Sequence, residues 1–397
     1  TVEPAPPDAI LGLTEAFKAD PNPHKINLGV GVYQDASGTT PVLDSVREAS
    51  RRALERMATK SYLPIPGAPG YGAAVQRLAF GDGHEVIESQ RAFTAQTPGG
   101  TGALRVVGEF LRMNLPAATL HMTDPTWANH PAVFAAAGVP TASFPYFDAA
   151  TNGLDFEATL AAIDKMPAGD AILLHGCCHN PTGMDPTPGE WKRLADAVYG
   201  RGLLPVLDFA YQGFADGIEE DAAGLREFCR GGAELIVCTS FSKNFGLYRE
   251  RVGAVSFVAE SAERRAVVAS QVKRCIRTLY SNPPAHGAEL VSIILGDPEL
   301  TRQWHGEVAA MRERINAMRS LLVEKLAPVG DYAFINRQRG MFSFSGLMKA
   351  QVERLREEDA IYIVGSGRIN VAGVTPANAD RLCDAIARVV AGRVAAG

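Results

Sequence analysis

Lys243 has a setting that ordinary surface lysines lack. It follows the apolar, strand-like run Leu235-Ile236-Val237-Cys238, and no other charge stands between Glu234 and Lys243. An amine delivered at a strand end, partly desolvated and close to other cations, spends time neutral and can form a Schiff base with a carbonyl. Ser240 and Ser242 precede it and Arg251 follows eight residues later, two hydroxyls and a guanidinium suited to a phosphate. A reactive amine beside a phosphate cradle points to pyridoxal 5'-phosphate (PLP). The stretch Gln96-Thr97-Pro98-Gly99-Gly100-Thr101-Gly102 opens into a helical pattern at Leu104, Val107, Phe110 and Leu111. Free backbone N–H groups at such a helix start bind anions, which makes it a second wall of the same pocket. It matches neither the Walker nor the dinucleotide-binding pattern.

The elements that must position these groups follow from periodicity. From about residue 118 to 260, strand-like runs (118–122, 141–145, 171–174, 203–207, 235–238) alternate with helical patterns (131–137, 156–165, 191–199, 222–229). That alternation predicts an α/β fold with a mostly parallel sheet covered by helices on both faces. Ligands collect at the carboxyl ends of such strands. Asp208 and Tyr211 follow the 203–207 run, Asn180 follows 171–174, and Trp127 follows 118–122. The neighbouring Cys177-Cys178-His179 lacks a second ligand pair at zinc spacing, so packing is the better reading and no metal is expected.

Upstream, Pro-rich residues 1–7 precede a short helix at 10–17, and an amphipathic helix is expected over 42–57. Between them, Gly29 and Gly31 interrupt an apolar run around Val30, read as a strand that something approaches closely. Downstream, Trp304, Val308, Met311, Ile315, Met318 and Leu322 keep a helical stripe, a long helix joining two domains. The short apolar runs after Pro328 predict a smaller α+β domain, completed by the strand near Val30. The expected division is 1–41 (arm and part of the small domain), 42–300 (large domain) and 301–397 (long helix and small domain).

Composition narrows the function classes. The 397 residues carry 39 Lys plus Arg against 44 Asp plus Glu, a net charge of -5, which offers no footprint for nucleic acid or an anionic membrane. The six scattered cysteines suit buried thiols in a reducing compartment better than a disulfide framework. No run of about 18 apolar residues occurs and the start lacks a signal-peptide pattern, so a cytoplasmic location is expected.

Five strings are specific enough to name a family: His179-Asn180-Pro181-Thr182-Gly183, Asp208-Phe209-Ala210-Tyr211-Gln212-Gly213-Phe214, residues 240–251, Tyr280-Ser281-Asn282-Pro283-Pro284, and Ser366-Gly367-Arg368-Ile369-Asn370-Val371-Ala372-Gly373. In order and over nearly the whole chain, they resemble the aspartate and aromatic amino-acid aminotransferases of PLP fold type I. The resemblance implies that Lys243 holds PLP and shuttles a proton, that Asp208 pairs with the pyridine nitrogen, and that His130 supports Asp208. It places Tyr211 and Asn180 on the cofactor O3′ and Trp127 on the ring. Gly100, Thr101, Ser240, Ser242 and Arg251 would hold the phosphate, joined by Tyr62 from a partner subunit.

For the substrate, the resemblance implies that Arg368, with Asn180 and the Gly31 backbone, clamps the α-carboxylate. Arg277 would reach across a homodimer interface to a distal carboxylate, Phe342 would flank the substrate, and Asn282 adjoins this region. Amino acids and 2-oxo acids are the implied partners, exchanged by a ping-pong mechanism with 2-oxoglutarate. Arg277, Val32, Thr101 and Asn282 favour aspartate, whereas residues 62–67 look closer to the aromatic branch. A PLP decarboxylase or lyase would not require both Arg277 and Arg368. A non-enzymatic regulator on this fold would carry an added DNA-binding segment.

Overall fold

A computed structural model of the protein describes residue 2 and residues 11–392. The Pro-rich start and Ile10 lie outside the described residues, Val2 excepted. A seven-stranded sheet forms the centre, in the order Ala92–Pro98, Val252–Val258, Leu235–Ser240, Leu204–Phe209, Ala171–His175, Leu120–Asp124, Thr141–Pro145. Only Val252–Val258 runs antiparallel to its neighbours, so the sheet is mostly parallel. The alternation of side chains along each strand divides the core. Ile172, Leu174, Leu207, Leu235 and Val237 join one apolar cluster, and Ala171, Leu173, Val206, Ile236 and Cys238 join another on the opposite face. Helices Gly99–Asn114, His130–Ala136 and Ala262–Leu279 cover the second cluster.

Two strands of this sheet stand outside the sequence expectation. Ala92–Pro98 and Val252–Val258 add an antiparallel pair at one side of the sheet, and Thr94, Gln96 and Thr97 are buried in the first of them. Their polarity is satisfied locally: Thr94 Oγ1 lies 2.8 Å from Ser256 Oγ, and Gln96 Nε2 donates to the Pro284 carbonyl at 2.6 Å.

The long helix is Pro298–Leu326, 29 residues, begun by Asp297, whose carboxylate accepts from the Glu299 and Leu300 amides. Its buried stripe holds Trp304, Val308, Met311, Ile315, Met318 and Leu322. Trp304 is fully buried, stacks on Phe245 at 4.3 Å, and donates from Nε1 to the Asn244 carbonyl at 2.7 Å. The helix is thereby pinned to the turn that follows Lys243.

Near the N-terminus, the strand expected around Val30 is displaced: Ile26–Asn27 is the strand, paired in parallel with Ile361–Tyr362. Residues 29–33 form a loop instead, because the Asn370 side chain takes up the Val30 and Val32 carbonyls at 2.7 Å each. Helix Asp44–Arg56 buries Ser45, Val46, Ala49 and Ala53, yet leaves Leu54 71% exposed. Among the described residues, no helix is long and apolar enough to cross a membrane, and all six cysteines are free.

Candidate active site

Strand register assembles the chemistry. His175 pairs with Asp208, and Asp208 with Cys238, so the carboxyl ends of three parallel strands meet beside the turn that carries Lys243. A cleft of about 180 Å³ opens there, lined by Gly100, Thr101, Trp127, Asn180, Asp208, Tyr211, Ser240, Ser242, Lys243 and Arg251, with Leu104 and Ala210. Ten residues singled out from the sequence thus share one cavity.

At one end sits an anion cradle. Helix Gly99–Asn114 has no side-chain cap at its start, and Gly100 and Thr101 of its first turn line the cleft, where helix-start amides favour an anion. Close approach demands the glycines: a Cβ on Gly100 would lie 3.0 Å from the Ser240 Cβ, and one on Gly99 2.5 Å from an Arg251 nitrogen. Arg251 itself adopts φ +52°, a conformation rarely held by a side-chain-bearing residue. Its Nη1 donates to the Tyr248 carbonyl at 3.0 Å and to Ser242 Oγ at 3.4 Å, and Ser240 Oγ lies 3.2 Å from Ser242 Oγ. Two hydroxyls, a guanidinium and free amides converge without a carboxylate.

Asp208 closes the opposite end. Burial pushes its carboxyl up, but the hydrogen bond from His130 and the nearby Lys243 leave it below the usual carboxylate range. His130 Nε2 is 3.1 Å from Asp208 Oδ2, and His130 Nδ1 is 2.7 Å from Thr126 Oγ1. His175 packs behind this pair with both ring nitrogens buried and unpartnered, its pKa driven to about 3 chiefly by burial. Neither His175 nor Thr126 was singled out from sequence; strand register and a four-residue helical spacing were the available signals.

Lys243 lies between the two ends, its Nζ 4.9 Å above the Tyr211 ring. Burial lowers its pKa to about 8; Asp208 works against that shift, while Arg251 and Arg368 reinforce it. In the cofactor-free protein, half of the Lys243 amines are therefore neutral near pH 8, with ammonium below and free amine above. Modification by an amine-selective reagent, followed by peptide mass spectrometry, will be half-maximal near pH 8 and level off about one pH unit above it. Surface lysines will keep rising towards about 10.4.

Arg368 borders the cleft, buried, with Nη1 donating to Asn180 Oδ1 at 3.2 Å and Nη2 to the Gly29 carbonyl at 2.9 Å. Its Nε is buried without a partner, and the guanidinium lies 4.2 Å from the Phe342 ring centre. Gly31 adjoins them: a Cβ there would come within 3.3 Å of Phe342. Arg368 is thus held from behind by the Gly29 carbonyl, two residues before Gly31.

Tyr62, Arg277 and Asn282 are elsewhere. They line a separate cavity of about 850 Å³ with Lys60, Ser61, Leu63, Tyr280, Ser281 and residues 283–285. Tyr62 is 91% exposed, Asn282 Nδ2 donates to the Leu63 carbonyl at 3.1 Å, and Arg277 Nη1 donates to Ser281 Oγ.

An anion cradle, a reactive amine and a buried carboxylate in one cleft, with Trp127 in its lining, fit a flat, phosphorylated, carbonyl-bearing heterocycle. The fold and cleft define an aminotransferase architecture, and the family model for aminotransferase class I and II matches residues 23–386. The chain belongs to this family. It is 53% identical to an aspartate aminotransferase of Salmonella typhi, over 97% of this chain and 98% of that one. It is 50% identical to an aromatic-amino-acid aminotransferase of Pseudomonas aeruginosa, over 97% of each. Its fold superposes with a TM-score of 0.95 on the aromatic-amino-acid aminotransferase of Burkholderia pseudomallei solved covalently bound to pyridoxal phosphate, 49% identical over 98% of each chain.

Proposed function

We propose that this chain is a PLP-dependent aminotransferase that moves an amino group between aspartate and 2-oxoglutarate by a ping-pong mechanism. The observation that carries this reading is the single cleft that joins Lys243, Asp208 and the Ser240–Ser242–Arg251 cradle, with Arg368 on its border. When bound, PLP supplies an aldehyde for the lysine and a ring that withdraws electrons from the substrate α-carbon.

The protein's own groups do the rest. Ser240, Ser242, Arg251, Gly100 and Thr101 hold a phosphate dianion at one end. Asp208, kept anionic and braced by His130, would pair with the cofactor's ring nitrogen and keep it protonated. Burial raises the Tyr211 phenol far above its ordinary pKa, so it stays protonated and donates, beside Asn180, to an anionic oxygen between them. Trp127 walls the cleft, and Phe342 packs against Tyr211 and Arg368 beside it. Lys243, near neutrality in pKa, takes the proton from the substrate α-carbon and gives it up again as an ammonium. Arg368 clamps the α-carboxylate shared by every amino and 2-oxo acid.

The separate position of Tyr62 and Arg277 supports a homodimer in which these two residues serve the partner subunit's cleft, one from each protomer about a two-fold axis. Five buried cysteines of six, all free, support a reducing, cytoplasmic setting.

A second reading, aromatic amino acids as main substrates, is favoured by the Arg277–Ser281 hydrogen bond, which holds the arginine against its own helix. The deciding experiment is kcat/KM for aspartate, tyrosine and phenylalanine with 2-oxoglutarate as acceptor. In the same assay, Arg277→Ala will cut kcat/KM for aspartate about a hundredfold, the scale of losing a desolvated charge pair, and leave phenylalanine within about threefold. Equal losses for both would remove Arg277 from substrate selection.

A further inference from the structure

Arg319 sits in the C-terminal third of helix Pro298–Leu326, 2% exposed, with no carboxylate at ion-pair distance among the described residues. A guanidinium in that position is costly, the more so because its Nε is buried without a partner, and its two Nη groups carry all of its hydrogen bonds. Burial brings its pKa down to about 10, so it remains a cation at neutral pH. Nη2 donates to the Gly340 carbonyl and to the Phe342 carbonyl at 3.1 Å, and Nη1 donates to Asn316 Oδ1 at 3.2 Å.

Those two carbonyls belong to the segment that enters strand Phe342–Phe344. It is wedged from the other side: Gly340 turns at φ +79°, where a Cβ would lie 2.4 Å from the Cys178 Cβ, and a Cβ on Gly183 would lie 2.8 Å from the Phe342 oxygen. From this anchored backbone the Phe342 ring reaches Arg368 at 4.2 Å and meets Tyr211 edge-on at 5.9 Å. The contacts run unbroken from Arg319 through the Phe342 backbone and ring to the Arg368 guanidinium.

We propose that Arg319 is a positioning residue for substrate binding: it fixes the Phe342 backbone, and the Phe342 ring then sets the plane of Arg368. The inference rests on the assignment of Arg368 to the α-carboxylate. Since every substrate carries that group, disturbing Arg319 weakens all of them alike, unlike any change at Arg277.

The test uses the holoenzyme with Arg319→Met, Arg319→Lys and Arg368→Ala. Arg319→Met leaves two buried carbonyls unpaired; it will raise KM for aspartate, phenylalanine and 2-oxoglutarate together by about tenfold, with kcat within about threefold. Calorimetric Kd values for succinate and 3-phenylpropionate will rise by the same factor, while the visible cofactor spectrum stays unchanged. Arg319→Lys keeps a cation and some donors and will raise KM about threefold, a partial rescue. Unchanged KM and Kd in Arg319→Met, or in Arg319→Lys where the methionine variant does not fold, overturn the proposal, as does a rise confined to one substrate class. If Arg368→Ala raises KM but neither Arg319 variant does, only the Arg319 role fails. If Arg368→Ala leaves KM unchanged, the carboxylate assignment fails and takes the Arg319 proposal with it.

Discussion

Lys243→Ala will abolish turnover, by a factor on the order of a millionfold, the scale seen when a residue at the heart of a catalytic unit is removed. The size follows from how many demands this one amine meets. It shares one cleft with the phosphate cradle and Asp208, and burial holds its pKa near 8, where it serves as nucleophile at one moment and proton carrier at the next. Among the described residues no other lysine lines the cleft, so no neighbour can take over. Stopped-flow assays and denaturing mass spectrometry will show loss of turnover together with loss of covalently retained cofactor. The cradle of Ser240, Ser242 and Arg251 is untouched by the change, so phosphate binding will persist. A variant that retained turnover and the covalent link would sink the assignment of Lys243.

Asp208→Asn comes next in effect. The amide is nearly isosteric and can still meet His130 Nε2, which lies 3.1 Å from the carboxylate, so the strand end and the fold should be preserved. What disappears is a buried negative charge, aimed into the cleft and stabilised by His130 against the cost of burial. Removing one such preorganised electrostatic group costs about a hundred- to a thousandfold in kcat. The expected result is therefore a kcat lower by that factor with KM changed far less, measured with aspartate and 2-oxoglutarate. A kcat within tenfold of the parent would deprive Asp208 of its role. His175, unpartnered beside this pair, is expected to stay neutral in the variant, since burial alone already keeps it so.

Much of this site was legible because its chemistry is local. Ser240, Ser242, Lys243 and Arg251 lie within one strand end and turn, and the Gly99-Gly100-Thr101 stretch declares its own helix start. Parallel strands with both faces covered read as continuous apolar runs, and the polar residue that ends each run marks the ligand side. The long helix was equally plain, because a 3.6-residue stripe sustained from Trp304 to Leu322 has few other solutions.

What resisted reading depended on partners distant in the chain. Ala92–Pro98 carries three buried polar residues whose hydrogen bonds come from Ser256, Pro284 and the turn at Gly99, so it shows neither alternation nor an apolar run. Val30 looked strand-like until the Asn370 side chain claimed its carbonyl, which moved the strand to Ile26–Asn27. The exposure of Leu54 on an otherwise amphipathic helix is likewise decided by what packs against that helix, not by its own periodicity.

By itself, then, the sequence determined the reactive groups and the strand ends that carry them, because residue type and short-range spacing suffice for both. The tertiary structure alone decided that Arg368 takes its backbone partner at Gly29, that His175 stands behind Asp208, and that Tyr62 and Arg277 share a cavity apart from Lys243. Each of these depends on register and packing between segments far apart in the chain, where a shift of one residue reverses the direction of a side chain.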